Sequence, residues 1–431
     1  MTGPHDLIGV GVGPFNLGLA CLAAPLAGLD CVFLDQKDEF DWHPGMLLPD
    51  ATLQVPFLAD LVTMADPTSP FSFLAYLKDV GRLYPFYVRE SFYPLRAEYT
   101  DYCRWATRRL RSVEFGRRVE SIEHDGEHYV VTSRDVTGRA HVRRGLRLVL
   151  GTGTRPVVPD VVTGGGPALH SADYLARRDE LRGCGSITVV GSGQSAAEIV
   201  RDLLVDIDER GYLLRWVTRS PRFFPMEYTK LTLELTSPEY TGYFRALPEH
   251  RRDALLTSQR SLYKGISGDL VDEIHELLYV KTRDPRVRVQ LLTNTAVEAA
   301  RWDGARYELG LRQHEIDRTF GLDTEGLVFA TGYRAAVPEF LEPVRDRIRW
   351  DSRGRFDVDA NYTIDHAGGE IFVQNAEEHT HGLVAPDLGM GAYRNSVILR
   401  HVLGGAPYPV EERVAFQEFG VPAGAREGVS S

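Results

Sequence analysis

The feature that most constrains the fold of this chain is a strand, a glycine-rich turn, a helix and a second strand ending in an acid, all within the first 35 residues. LIGVG reads as a buried strand, GVGPFN as the turn, and CVFLD as a strand that ends at Asp35. This order is typical of a βαβ unit that binds a dinucleotide. Gly11 and Gly13 allow a pyrophosphate to approach the positive end of the helix. Asn16 stands where a third glycine is usual, and Asp35 lies where an acid binds a ribose hydroxyl.

A second unit of the same kind begins with SITVVGSGQSAAEIV, in which Gly191, Gly193 and Ala196 take the three fingerprint positions. The strand that follows, YLLRWVT, is succeeded by Arg219 and Arg222 and not by an acid. An acid would repel a ribose 2′-phosphate, whereas arginine binds one well. The second site therefore predicts NADPH; the alternative is that both arginines are solvated loop charges.

Two further segments resemble each other, LVLGTGTRPVVP at 148–159 and LVFATGYRAAVP at 327–338. Such turns recur where the chain of a flavoprotein crosses between two nucleotide domains; the alternative is two similar β-turns. We therefore predict an α/β protein with two Rossmann-like dinucleotide-binding domains and a small, mainly helical substrate lobe. The predicted boundaries are 1–165 and 330–415 for an FAD domain, 166–329 for an NADPH domain, 225–283 for the helical lobe inserted in it, and 416–431 for a tail that frays.

Composition excludes several other classes of protein. The net charge of −11 argues against a nucleic-acid binder, which usually has a basic face, but is compatible with a cationic substrate. The four cysteines include no C-x-x-C pair, which predicts neither a metal site nor a dithiol centre. Their scatter, the lack of a signal-like N-terminus and the lack of a long apolar run predict a cytoplasmic protein without a membrane segment.

The absence of a redox-active cysteine pair leaves dioxygen as the partner for a reduced flavin, and so indicates a monooxygenase. GGGPALHSADY supports this, because it resembles the F-x-G-x-x-x-H-x-x-x-Y signature of flavin monooxygenases. Gly166, His170 and Tyr174 match the signature, and Gly164 replaces its phenylalanine. His170 is either part of that signature's function or a loop histidine with satisfied hydrogen bonds.

Several blocks together resemble the microbial N-hydroxylating flavin monooxygenases, which act on lysine, ornithine or a linear diamine in hydroxamate siderophore biosynthesis. They are IGVGVGPFNLGLA, FDWHPGMLLPDATLQVPFLADLVTMADPTSPFSFLAYL, VVGSGQSAAE, FATGY and THGLVAPDLGMGAYR. The resemblance covers about residues 5–405. It implies that NADPH reduces FAD, that dioxygen forms a C4a-hydroperoxide on the flavin, and that the neutral amine attacks the distal oxygen. Members of the family are often tetramers, which implies a homo-oligomer here.

That chemistry requires exclusion of water and an unprotonated amine, although a free alkylamine has a pKa near ~10.4. An apolar pocket disfavours the ammonium form. Trp42, Pro56, Phe57 and Leu58 suit the wall of such a pocket, and ordinary core packing is the alternative for each.

Within LQVPFLADLV, the ornithine and lysine hydroxylases usually have FLKDL, whose lysine is thought to hold the substrate's α-carboxylate. Here the matching residue is Ala59. Because a buried carboxylate without a cation is costly, this change favours a substrate without one, such as cadaverine or putrescine. KGISGDL places Ser267 where ornithine enzymes have an asparagine that meets the substrate. Lysine or ornithine remains the alternative, if another cation holds the carboxylate.

The distal ammonium of a diamine would need an acid, and Glu377 and Glu378 are the candidates, with surface solvation as the alternative. Further alternatives for the whole protein are an uncoupled NADPH oxidase and a flavin-binding module without turnover. The predicted substrate-binding residues are Gln54, Ala59, Lys264, Ser267, Glu377 and Glu378. The predicted cofactor-binding residues are Gly11, Gly13, Pro14, Asn16 and Asp35 for the ADP half of FAD, Trp42, His43 and Gln54 near the flavin ring, and Gly191, Gly193, Gln194, Ser195, Arg219 and Arg222 for NADPH.

Overall fold

In the computed structural model, which describes residues 3–422 and 424, each glycine turn lies at the end of the central strand of its own parallel sheet. All neighbours in the first sheet pair in parallel, so every connection within it is a crossover. The strands of the first sheet, in spatial order, are Ile371–Val373, Leu148–Leu150, Leu7–Val10, Cys31–Leu34 and Val113–Glu114.

The second sheet repeats this arrangement with the second glycine turn at its centre, and it is also parallel throughout. Its strands, in spatial order, are Leu169–His170, Gly326–Phe329, Ser186–Val190, Leu213–Val217 and Arg288–Leu292. Two doubly wound parallel sheets in one chain confirm the predicted fold class.

Three smaller sheets complete the β-structure. A three-stranded meander covers the first parallel sheet, and a four-stranded sheet lies beside the second. The meander is Arg118–His124, Tyr129–Arg134 and Ala140–Gly145; the four-stranded sheet is Arg318–Thr324, Tyr307–Gln313, Thr295–Trp302 and Val162–Thr163; and a two-stranded ribbon pairs Thr154–Pro156 with Tyr333–Ala335.

The ribbon joins the two look-alike segments that the sequence singled out. Tyr333 pairs antiparallel with Pro156, and Ala335 with Thr154, so the two crossings between the halves of the molecule run side by side. Because Val162–Thr163 already pairs with Ala300 and Arg301 in the four-stranded sheet, the first crossing is complete before residue 162.

The α-helices are Pro14–Ala23, Phe73–Asp79, Leu83–Val88, Arg96–Thr107, Tyr174–Arg182, Gln194–Val205, Ile207–Arg210, Lys230–Leu233, Pro238–Ala246, Glu249–Ser258, Gly268–Lys281, Glu378–His381 and Gly391–Leu403. The 3₁₀ helices are Pro44–Met46, Ser171–Asp173, Arg260–Leu262, Glu339–Arg347, Gly382–Val384 and Leu388–Met390.

The helices between 225 and 283 pack against two different parts of the molecule. Gly268–Lys281 packs along Gln194–Val205, with Arg201 and Glu273 paired across the interface. The helices Pro238–Ala246 and Glu249–Ser258 pack instead on the segment 378–384, which follows the last strand of the first sheet. The helical segment therefore bridges the two halves, and its last helix completes the second nucleotide unit.

Residues between 414 and 422 contact the helix Pro238–Ala246, although the sequence predicted a frayed tail from residue 416. Backbone N–H groups of Val414 and Ala415 donate to Glu239, and the Phe419 ring lies 5.0 Å from that of Tyr240. Residues 423 and 425–431 of the predicted tail lie outside the described residues. Within residues 3–422 and 424, no helix is long and apolar enough to cross a membrane.

Candidate active site

The first glycine turn is built to receive an anion. Gly11 has a φ of +87°, and a Cβ there would lie 2.4 Å from the carbonyl oxygen of Gly151. Glycine is therefore required for both conformation and space. The helix Pro14–Ala23 begins directly after Gly13 without a side-chain cap, and space beside Gly13 is open. Its unpaired first-turn N–H groups fit the pyrophosphate of a dinucleotide.

Asp35 and Asn16 both hold this turn in place. Asp35 Oδ2 accepts the Val12 N–H at 2.6 Å, so the acid lies beside the turn at the end of its strand. The Asn16 amide donates to the Gly11 carbonyl at 2.7 Å and accepts from Gln374 at 2.7 Å. Asn16 is buried, and its hydrogen bonds fix the glycine turn in place.

The second glycine turn has the same construction. A Cβ on Gly191 would lie 2.4 Å from the Ala330 carbonyl oxygen, and the helix Gln194–Val205 starts after Gly193 without a side-chain cap. Ser195 lies half-buried in its first turn. Among the described residues, neither Arg219 nor Arg222 has a hydrogen-bond or ion-pair partner, and both are exposed. Two free guanidinium groups beyond the strand fit a 2′-phosphate.

Three of the predicted site residues meet where the two halves face each other. Gln54 donates from Nε2 to Gln194 Oε1 at 3.1 Å, and the Ser267 backbone N–H donates to the same oxygen at 2.9 Å. Gln54 comes from the first half, whereas Gln194 begins the helix of the second glycine turn. The sequence analysis assigned Gln54 and Ser267 to the substrate and Gln54 and Gln194 to the cofactors. The structure joins all three in one hydrogen-bonded contact.

A half-buried ion pair reinforces this contact, and the sequence analysis did not find it. Arg96 Nη1 lies 2.8 Å from Glu198 Oε2, and Gln194 donates to the other oxygen of Glu198 at 2.8 Å. Burial raises the pKa of Glu198, and the charge of Arg96 opposes that rise. The partners are 102 residues apart, so no local pattern signals the pair.

Trp42 and His43 lie on the first-half side of the same cleft. The ring of His43 is 5.1 Å from Trp42 and 5.3 Å from Tyr333 of the crossing ribbon. The side chain of His43 is exposed, but desolvation by the surrounding protein, together with the charges of Arg96 and Lys37, lowers its pKa to about 4. The imidazole is therefore neutral near pH 7.

The side chains of the GGGPALHSADY motif make hydrogen bonds within the protein. His170 Nδ1 accepts from the Ala172 N–H, and its Nε2 donates to the Gly332 carbonyl at 3.0 Å. Tyr174 donates to Asp202 at 2.5 Å. Of the two interpretations of His170, the structure supports the histidine with satisfied hydrogen bonds, which fixes the second crossing turn.

The two glutamates proposed for the distal ammonium have different surroundings. Glu377 is fully buried, 3.1 Å from Arg394, which is itself 1% exposed. This carboxylate is therefore paired with a cation in the core and not solvated at the surface. Glu378 Oε1 lies 2.7 Å from Lys264 Nζ and accepts from Tyr263 at 2.7 Å. Burial favours a raised pKa for Glu378, but Lys264 and these hydrogen bonds hold the pKa below its usual value.

The stretch LQVPFLADLV forms a compact loop, in which Asp60 and Ala59 have different surroundings. Asp60 accepts the N–H groups of Val62, Thr63 and Phe73, and so is a structural acid. Ala59 is buried, and its methyl lies 3.9 Å from where a Cβ on Gly389 would be. Position 59 therefore faces the segment 387–390.

The proposed apolar wall is only partly enclosed. Phe57 packs against Phe86 and Phe92 with ring centroids 5.7 and 5.8 Å apart. Pro56 and Leu58, in contrast, are exposed in this structure. Phe57 and the half-buried Trp42 are thus the members of the predicted wall that lie in packed surroundings.

The two uncapped glycine turns, the facing cleft and the crossing ribbon define an oxidoreductase of the flavoprotein class with two dinucleotide-binding domains. The family model described as L-lysine 6-monooxygenase/L-ornithine 5-monooxygenase matches residues 3–335. The chain belongs to this family of N-hydroxylating monooxygenases, as its sequence blocks predicted.

Three similar proteins place the chain within the family. A putrescine N-hydroxylase of Shewanella oneidensis is 49% identical, over 96% of this chain and 84% of the relative. The structure of a cadaverine monooxygenase of the desferrioxamine pathway from Erwinia amylovora, bound to FAD, is 51% identical, with a TM-score of 0.96 over 98% of this chain and all of that one. An ornithine N-hydroxylase from Kutzneria sp. 744, in complex with reduced FAD, NADP⁺ and L-ornithine, is 27% identical, with a TM-score of 0.87 over 93% of this chain and 99% of that one.

Proposed function

We propose that this protein hydroxylates one terminal amine of a linear diamine, cadaverine or putrescine, using FAD, NADPH and dioxygen, for hydroxamate siderophore biosynthesis. The observation that carries the choice of substrate is Ala59. It removes the cation expected for an α-carboxylate, and the cations Lys264 and Arg394 are already paired with Glu378 and Glu377. The similarity to putrescine and cadaverine hydroxylases supports the same choice.

The residues present fit both cofactors. In this proposal Gly11, Gly13, Pro14 and Asp35 bind the ADP half of FAD through free N–H groups and a carboxylate. The second turn binds NADPH in the same way, through Gly191, Gly193, Gln194, Ser195, Arg219 and Arg222. When bound, the flavin supplies hydride acceptance from NADPH and activation of dioxygen for transfer of one oxygen atom to nitrogen.

The chain itself positions the reactants. Gln54 holds the two halves together where both cofactors' reactive ends must meet, through its bond to Gln194. His43 is neutral near pH 7, so it adds no positive charge that would repel an ammonium-bearing substrate. The protein's overall negative charge favours arrival of a dication.

The decisive experiment measures hydroxylamine formation, NADPH oxidation and peroxide release with cadaverine, putrescine, L-lysine and L-ornithine. We expect hydroxylamine from a diamine, little from either amino acid, and less peroxide per NADPH when diamine is present. Preference for an amino acid would refute the diamine assignment. Peroxide release that does not fall with any amine would identify an uncoupled oxidase, and the absence of NADPH oxidation would identify a flavin-binding module.

We also propose a homo-oligomer, a tetramer by family resemblance. Supporting this, exposed apolar side chains concentrate between residues 58 and 93, where Tyr84, Tyr87 and Val88 are each more than 70% exposed. Surfaces of this kind commonly mark interfaces. Light scattering of the wild type and of Y87E/V88E tests it: a smaller particle is expected for the variant, and a monomeric wild type would refute the proposal.

The domain limits and the compartment are part of the same proposal. We propose an FAD domain formed by the residues before about 162 and after 330, with the NADPH domain between them and the helices of 225–283 as a bridging lobe. The pairing of Val162–Thr163 in the four-stranded sheet supports a first boundary at about residue 162 and not at 165. All four cysteines are free thiols, which supports a cytoplasmic location.

A further inference from the structure

The acids described above differ in whether a cation or backbone donors already satisfy them. Glu198, Glu377 and Glu378 are paired with Arg96, Arg394 and Lys264, as described above. Asp60 accepts three backbone N–H groups and the Thr63 hydroxyl. None of these four carboxylates is available to a cationic ligand without first losing a protein partner.

Asp387 differs from all of them. Its Oδ1 accepts the Gly389 N–H at 2.8 Å, at the start of the short helix Leu388–Met390. Its Oδ2 has no hydrogen-bond or cationic partner within the part of the chain that the structure describes. The side chain is half-buried, and burial raises its pKa, against the Gly389 hydrogen bond and the more distant charge of Arg394. A ligand cation would therefore meet a carboxylate that is poorly compensated by protein.

The position of Asp387 relative to Ala59 indicates which charge of ligand this carboxylate favours. A Cβ placed on Gly389 would lie 3.2 Å from Asp387 Oδ1 and 3.9 Å from the Ala59 methyl, so both groups lie on the same side of Gly389. A side chain at 389 would crowd the Asp387 carboxylate. A neutral methyl on one side and a carboxylate on the other create a site that attracts a cation and repels an anion.

We propose that Asp387 Oδ2 binds the distal ammonium of the substrate and thereby selects a diamine over an amino acid. This inference rests on the proposed diamine hydroxylation and names the residue that makes the choice. The N–H···O contact is charge-assisted on both sides, the strongest class of hydrogen bond to a carboxylate. An α-carboxylate at the same place would lie beside Asp387 with no cation at position 59 to offset the repulsion.

The test compares cadaverine with n-pentylamine, which has the same chain but no distal ammonium, in the wild type and in D387N. The asparagine retains an oxygen that accepts the Gly389 N–H, so the local turn is preserved while the charge is lost. We expect the KM for cadaverine to rise about 10- to 100-fold in D387N, as for loss of a hydrogen bond between charged groups. The KM for n-pentylamine should change by less than about twofold, and D387E should recover part of the loss for cadaverine.

A matched control is D346N, which removes an exposed acid on the far helix Glu339–Arg347 and should alter neither KM. An unchanged KM for cadaverine in D387N, or equal rises for both amines, would overturn the inference. If D387N does not fold, the wild type alone still decides, because a KM for n-pentylamine as low as that for cadaverine would also overturn it. A wild type that hydroxylates no diamine would instead refute the proposed function, and the two failures are thus distinguishable.

Discussion

The buried pair of Glu377 and Arg394 gives the sharpest prediction of stability. Both side chains are at most 1% exposed, and Arg394 also donates to the carbonyls of Val384 and Ala385 at 3.2 and 2.8 Å. The isosteric change E377Q leaves the guanidinium charge buried without its counter-ion. Loss of one partner of a buried pair costs about 3–5 kcal/mol. We expect the lower end, about 3 kcal/mol, because the two carbonyls continue to solvate the charge.

The reverse change should cost less at mildly acidic pH. In R394M the stranded Glu377 can take up a proton, and burial already raises its pKa. Arg394 cannot lose its proton in the same way. The double variant E377Q/R394M should recover part of the loss, because neither charge remains.

Thermal unfolding of the FAD-loaded protein, followed by flavin fluorescence and by circular dichroism, measures these effects. At about 2–4 °C per kcal/mol for a domain of this size, E377Q should unfold about 6–12 °C lower. E342Q is the matched control, since Glu342 and Arg345 form an exposed pair, 3.7 Å apart, that contributes little. A shift below about 2 °C for E377Q, or a double variant worse than both single ones, would refute the reasoning.

Three other perturbations have definite expected outcomes. R219A/R222A should raise the KM for NADPH about tenfold or more and leave that for NADH nearly unchanged, and equal effects on both would remove the 2′-phosphate from the explanation. G11A should lose FAD, visible as a colourless purified protein, because a Cβ would lie 2.4 Å from the Gly151 carbonyl oxygen at a φ of +87°; retained yellow colour would contradict this. Burial holds the pKa of His381 well below its usual value, so the folded protein keeps this imidazole neutral. The contribution of His381 to the free energy of unfolding is therefore complete above about pH 6.5. It falls as the pH drops, by up to about 1.4 kcal/mol per pH unit. Urea titrations between pH 7.5 and 5 should therefore show a shallower acid loss for H381Q than for the wild type, and parallel curves would exclude His381 as the source.

The sequence predicted the nucleotide units well because each is encoded locally. A strand, two glycines and a helix determine one another within about 15 residues, and the structure places both turns at the centres of parallel sheets. The two look-alike segments were also interpreted correctly as domain crossings, and they pair with each other as a ribbon. Their resemblance has a structural origin, because each must leave a central sheet by the same kind of turn.

Contacts between distant parts of the chain were not predictable from local patterns. Glu377 and Glu378 are adjacent in sequence and looked equivalent, but one faces Arg394 in the core and the other faces Lys264 at the surface. Asp387 gave no signal, because its relation to Ala59 spans more than 300 residues and depends on the fold of the first half. Charge type can be taken from a sequence, whereas which charges remain uncompensated depends on packing.

The crossing ribbon has a mechanical consequence. Thr154–Pro156 and Tyr333–Ala335 are the strands in which the chain leaves and re-enters the first half, and they are hydrogen-bonded to each other. Two connections that are hydrogen-bonded side by side resist separation as one unit. Pulling the halves apart must therefore break the ribbon as well as the Gln54–Gln194 bond and the contacts of the bridging helices.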